Sequence, residues 1–180
     1  RKIFVGNEST TDTLHAAAIF VGKDSNGDDS LSLHVGTESD FLYEIISTYT
    51  TDWYGVGILV SELIGRDTWG EGPVSEYFTI DVLDSNSGFQ KDTYAWISEG
   101  DLYEMVKIKD VEWLTSLTPR LYIDYQMEHT FYSGIANVAC LLTLGDFAPS
   151  QTQAIWIRQT IPVGANSQRS CRPRIRVIGV

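Results

Sequence analysis

Asp124 and Glu128 stand first among the residues able to do chemistry. Both fall on the polar face of the segment Arg120–Tyr132 (RLYIDYQMEHTFY). That segment reads as one strand, with Leu121, Ile123, Tyr125, Met127, His129 and Phe131 on its other face. Paired carboxylates on a strand face are what a β-sandwich glycoside hydrolase would use. Their spacing counts against that chemistry. Four residues along a strand separate Cα atoms by about 13 Å. Carboxyl groups in retaining glycosidases stand about 5 Å apart, and in inverting ones about 6.5–9.5 Å. Gln126 also stands between the two. No catalytic residue is assigned.

Nucleophilic catalysis finds no better footing. His15, His34 and His129 lie in separate segments, with no motif tying any of them to a Ser or Cys. There is no Gly-x-Ser-x-Gly elbow and no phosphate-cradling glycine loop. His129 on an apolar face reads as a hydrogen-bonded core or edge histidine. The run Asp24-Ser25-Asn26-Gly27-Asp28-Asp29 opens like a calcium loop, then departs from it. Asp29 stands where such a loop needs Gly, and Val35 where a bidentate Glu belongs. A turn explains the same residues. No metal ligand and no cofactor is assigned.

Trp53, Tyr54 and Trp69 are the candidate ligand-binding residues, and carbohydrate is the candidate ligand. They sit in polar, glycine-rich stretches beside Asp52, Asp67 and Glu71, whose carboxylates suit sugar hydroxyls. Against this stands the reading that Trp53 and Trp69 fold back as core plugs. Trp96, Trp113 and Trp156 read as core or interface residues. Asn7-Glu8-Ser9 is a formal glycosylation sequon of little weight.

Charge supplies a second set of candidates. The chain carries a net charge of −11, which argues against nucleic acid as a partner. The charge is uneven: residues 1–118 hold 7 basic and 21 acidic side chains, residues 119–180 hold 6 and 3. Five arginines fall in the last thirty residues, and Arg172, Arg174 and Arg176 are the candidate subunit-interface residues. Surfaces of opposite sign suit head-to-tail contacts between copies. The bland alternative is that these arginines pair with acids of their own chain.

The elements that must position these residues read as strands throughout. Apolar and polar residues alternate, interrupted by Gly, Asn, Asp, Ser and Pro, over Lys2–Gly6, Leu14–Lys23, Ser30–Gly36, Leu42–Tyr49, Gly55–Ile64, Glu76–Leu83, Thr93–Ile97, Leu102–Lys107, Arg120–Tyr132, Asn137–Leu144, Ala154–Ile161 and Arg174–Ile178. The second and third of these are expected to form a hairpin around Asn26-Gly27. One short helix is expected at Asp110–Leu117, with Asp110 as cap, Val111, Leu114 and Leu117 at helical spacing, and Pro119 as stop. With 180 residues and 43% hydrophobic content, the expectation is one domain, residues 1–180, folded as an antiparallel β-sandwich or jelly roll. No run approaches the roughly 18 apolar residues of a membrane helix, so no membrane partner is expected. Beginning at Arg1 instead of Met, the chain is expected to be processed, trimmed or renumbered. Two cysteines, Cys140 and Cys171, are too few for a disulfide scaffold, and whether they bridge is left open.

The end of the chain carries a family resemblance. It has an apolar strand with Trp and Arg (Ile155-Trp156-Ile157-Arg158), a Pro162-Val163-Gly164 turn, a polar loop Ala165–Ser170 and a last strand Arg174–Val177. In this, Ala154–Val180 resembles the closing segment of tail or other virion structural β-domains of tailed bacteriophages. The resemblance covers about a sixth of the chain. It implies a non-enzymatic structural or adhesion subunit in a virion or extracellular setting, with copies of itself and other virion subunits as partners; a surface glycan is the further partner that Trp53, Tyr54 and Trp69 would take. It assigns no residue a role.

Overall fold

Alternating strands need something to cover their apolar faces, and in the computed structural model two adjoining cores provide it. The structure describes residues 1–23, 30–42, 53–66, 75–82, 87–124, 126–161 and 174–179. Among them run β1 (Lys2–Gly6), β2 (Leu14–Lys23), β3 (Ser30–Gly36), β4 (Val56–Leu59), β5 (Tyr77–Val82), β6 (Tyr94–Glu99), β7 (Leu102–Thr115), β8 (Thr118–Ile123), β9 (Asn137–Cys140), β10 (Leu142–Phe147), β11 (Thr152–Thr160) and β12 (Arg174–Ile178). All pairs of these strands are antiparallel. The expected all-β class holds.

Six strands close into a barrel in the order β4-β5-β8-β7-β6-β9. Period-two alternation fills it: Phe78 and Ile80 of β5, Ile97 of β6, Ile108 of β7, Leu121 of β8 and Val138 of β9 all point inside and are fully enclosed. Burying each such side chain contributes about 1.5–3 kcal/mol. Closure also leaves these strands no exposed edge. The other six strands form two three-stranded sheets, β1-β11-β3 and β10-β2-β12, which share the second core. β9 is a wall common to both cores: Val138 and Cys140 face into the barrel, Ala139 into the second core. β2 buries Ala17 through Val21 without alternation, as a strand covered on both faces must. Its Phe20 stacks on Trp96 of the barrel's outer wall, with ring centroids 5.1 Å apart.

Several expectations are corrected. Asp110–Leu117 is not helical, because β7 runs through Thr115 and pairs with β8. Val111 packs on the barrel core, but Leu114 and Leu117 are exposed at the hairpin end, so the helically spaced residues share no buried face. Register shifts at Ile108/Asp110 and Trp113/Thr115 break the alternation there, which is why it resembled a helical period. Arg120–Tyr132 is not one strand either. β8 ends at Ile123, and beyond it Met127 and Phe131 are buried in an irregular crossing while Phe131 bridges Leu63. Asn137–Leu144 is two strands, one in the barrel and one in a sheet, with the buried Leu141 at the crossing. β2 and β3 do not pair as a hairpin but lie in different sheets. Asn26-Gly27 and most of the expected strand Leu42–Tyr49 fall outside the described residues.

The β10–β2 pairing is bulged around Gly145 (φ +78°) and Ala16 (φ +46°). Asp146 braces the bulge, accepting from Ala16 N at 2.9 Å and from His15 Nδ1 at 3.1 Å. The Ala16 bond first, and then His15, hold the Asp146 carboxyl below its ordinary value. A depressed folded-state value contributes stability above the ordinary carboxylate range and loses it as pH falls through that lowered value. Denaturant titrations at neutral pH and near pH 3 should therefore show a larger acid loss for the native chain than for Asp146→Asn. Equal losses would assign the acid sensitivity elsewhere.

Candidate functional site

The β8 crossing separates the carboxylates that shared a face in sequence. Asp124 lines a cavity of about 390 Å³ with Glu76, Lys109, Asp110, Tyr122 and Gln126, and Glu128 is not part of it. Glu128 instead lies near Glu104 and His129, with ligand atoms of the three within 4.8 Å of one another. That trio resembles a metal-binding group, but Glu104 is spent on the loop. It accepts from His129 N at 2.6 Å, His129 Nδ1 at 2.6 Å and Glu128 N at 3.1 Å. A carboxylate holding three N–H donors is a clamp. Its effect is to pin residues 128–129 to β7.

The other reactive side chains stay apart. His15 faces Asp146, and His34 Nδ1 bonds Val35 O. Cys140 is enclosed in the barrel with its Sγ donating to Gly88 O at 3.2 Å, and burial pushes its thiol up to about 12. It is an inert core group at neutral pH. Cys171 lies outside the described residues. The sequon's Asn7 is also committed. Its Nδ2 donates to Asp12 O and Phe147 O, and its Oδ1 accepts from Ser9 N.

Of the candidate aromatics, Trp53 is 2% exposed. The Arg158 guanidinium covers its ring at 4.3 Å, and it clusters with the buried Trp156. Tyr54 is half-buried against both cores, and its backbone bridges Leu33. Trp69 lies outside the described residues. Trp53 and Tyr54 therefore sit where the barrel meets the β1-β11-β3 sheet, and the indole of Trp53 has no face turned to solvent.

Arg176 leads to a different place. Arg172 lies outside the described residues, and the backbone of Arg174 pairs with Lys23. Arg176 lies in β12, at one edge of the β10-β2-β12 sheet. Its stem runs over Gly22, where a Cβ would meet Cδ, Cγ and Nε of Arg176 at 2.8–3.0 Å. Among the described residues the guanidinium has no ion pair or hydrogen bond. It lines a cleft of about 390 Å³ with Gly22, Ser98, Asp101, Tyr103 and Asn137.

Register explains how these distant residues meet. Ser98 pairs with Asn137 on β9 and with Tyr103 on β7, so the three form one row across the barrel's outer wall. Gly100 (φ +61°) and Asp101 make the tight turn that joins β6 to β7 and sets the rim. Tyr103 stacks on Trp96 with ring centroids 4.7 Å apart and planes 12° apart, and Trp96 rests on Phe20. The ring is thus held in place while staying 58% exposed. Tyr103 carried no signal in sequence, where it is one more aromatic in a strand. Its partners stand at positions 22, 98, 101, 137 and 176, and only the barrel register brings them together.

No family model, no curated protein and no solved structure matches the chain.

Proposed function

We propose that the chain is a non-enzymatic structural or adhesion subunit of a virion of the tailed-phage kind, working in the particle or outside the cell. One observation carries this. Among the described residues, β12 is an edge strand and its Arg176 has no counter-ion, in an otherwise acidic chain. An edge strand offers unpaired backbone groups to a neighbour, and an unpaired cation suits the acidic surface of another copy. Two three-stranded antiparallel sheets share one core beside the barrel, an all-β build of the kind such subunits use. The resemblance of Ala154–Val180 to phage virion β-domains supplies the setting. The argument from paired carboxylates weakens because Glu128 does not line the cavity that holds Asp124. The Trp53 ring likewise gives a glycan no platform.

Light scattering over rising concentration tests the assembly. Oligomers are expected, and they should weaken between about 0.05 and about 0.5 M salt as the screening length shortens. Val177→Asp, an exposed change on β12, should reduce them further. A chain that stays monomeric throughout would overturn the proposal.

A further inference from the structure

We propose that the cleft between β12 and the β6–β7 turn is a binding site for a neutral saccharide. This deepens the adhesion half of the function proposed above and rests on it. Tyr103 provides the face on which a pyranose ring stacks. The tyrosine is clamped from below by Trp96 at 4.7 Å and is 58% exposed, so its orientation is set before any ligand arrives. Rigid aromatic surface of this kind gives contact area at small entropic loss.

Four polar side chains line the same cleft: Ser98, Asp101, Asn137 and Arg176. Among the described residues none of the four is hydrogen-bonded or ion-paired through its side chain. Folded proteins satisfy most of their polar side chains internally or with water. Four side chains without a protein partner, converging on one cleft, can exchange solvent for the hydroxyls of a ligand. Their chemistry is mixed. Arg176 only donates, Asp101 only accepts, and Ser98 and Asn137 do both. That set matches a row of hydroxyls, each of which donates and accepts. It does not match a phosphate or a nucleic-acid backbone, which the Asp101 carboxylate and the net charge of −11 would repel. A cleft of about 390 Å³ lies in the range of small-ligand sites.

The experiment is saturation-transfer NMR on the full chain, kept below its assembly concentration, with neutral hexose and N-acetylhexosamine oligosaccharides as probes. Calorimetry then follows on any binder. Binding is expected, with Tyr103→Ala and Asn137→Ala each weakening it at least about tenfold and Tyr103→Phe within about threefold of wild type. Asp101→Ala, in an exposed turn, is the variant that still reads the site if removing the Trp96 stack unfolds the chain, and it should also weaken binding. Circular dichroism and light scattering on each variant should remain those of the native chain. Three results would each overturn the site: no binding by any of these neutral probes, binding indifferent to both Tyr103→Ala and Asp101→Ala, or, with a uronic-acid oligosaccharide added as a control probe, binding confined to that acidic sugar and dependent on Arg176 alone. Loss of sugar binding with assembly intact defeats the cleft and leaves the subunit proposal standing. Sugar binding by a chain that never assembles does the reverse.

Discussion

Phe78→Ala should lower unfolding stability by about 3–5 kcal/mol, whereas Tyr77→Ala, one residue earlier, should lower it by about 1 kcal/mol or less. The contrast follows from the barrel. On β5, Phe78 is fully enclosed among residues from the other barrel strands, so truncation leaves a cavity that rigid, paired strands cannot collapse to fill. Tyr77 points outward and is 46% exposed. Its contacts are the tilted ring of Tyr122 at 5.5 Å and the Arg120 guanidinium at 4.9 Å. Chemical denaturation of the two variants reads the difference directly. Similar losses, or a larger one for Tyr77, would place β5 in the opposite register, since a one-residue slip exchanges the faces.

Gly65→Ala should be nearly as damaging, at about 3 kcal/mol. A Cβ there would sit 2.2 Å from His129 O and 2.4 Å from its carbonyl carbon. Backbone cannot yield as a flexible side chain can, and here both segments are tied. Leu63 and Phe131 exchange backbone hydrogen bonds at 2.9 and 2.8 Å, and Arg66 N donates to Met127 O at 2.9 Å. The Glu104 clamp holds the 128–129 backbone from the other side. That geometry makes the effect conditional. In a Glu104→Ala background the loop is freer to withdraw, so adding Gly65→Ala should cost measurably less than it does alone. Strict additivity in the double-mutant cycle would show that the clamp does not hold the loop against Gly65.

Much of the scaffold was legible because strand alternation needs only one covered face. β1, β3 and β12 lie where their patterns place them, and so does β2, although its buried run Ala17–Val21 does not alternate. What sequence missed are the places where one rule gave way to another. Bulges in β7 shifted the alternation toward a helical look. Met127 and Phe131 kept the apolar spacing of a strand while serving in an irregular crossing, because burial in a barrel end requires apolar residues without requiring a ladder. The expected hairpin at Asn26-Gly27 rested on turn chemistry, which is silent on whether the flanking strands join one sheet or two. The candidate site was less legible still. Arg176 was visible through charge, but Tyr103, Ser98 and Asn137 meet only because β6 pairs with both β7 and β9. Trp53 stood out by its polar neighbourhood and proved to be packed under Arg158.

The most direct measurement is hydrogen–deuterium exchange across β12, with the chain first dilute and then at a concentration where it assembles. If β12 supplies the subunit contact, the exchange of its amides from Ile175 to Ile178 should slow at least about tenfold on assembly, while the enclosed barrel strands stay unchanged. An assembled chain whose β12 amides exchange as fast as in the monomer would contradict the role assigned to that edge.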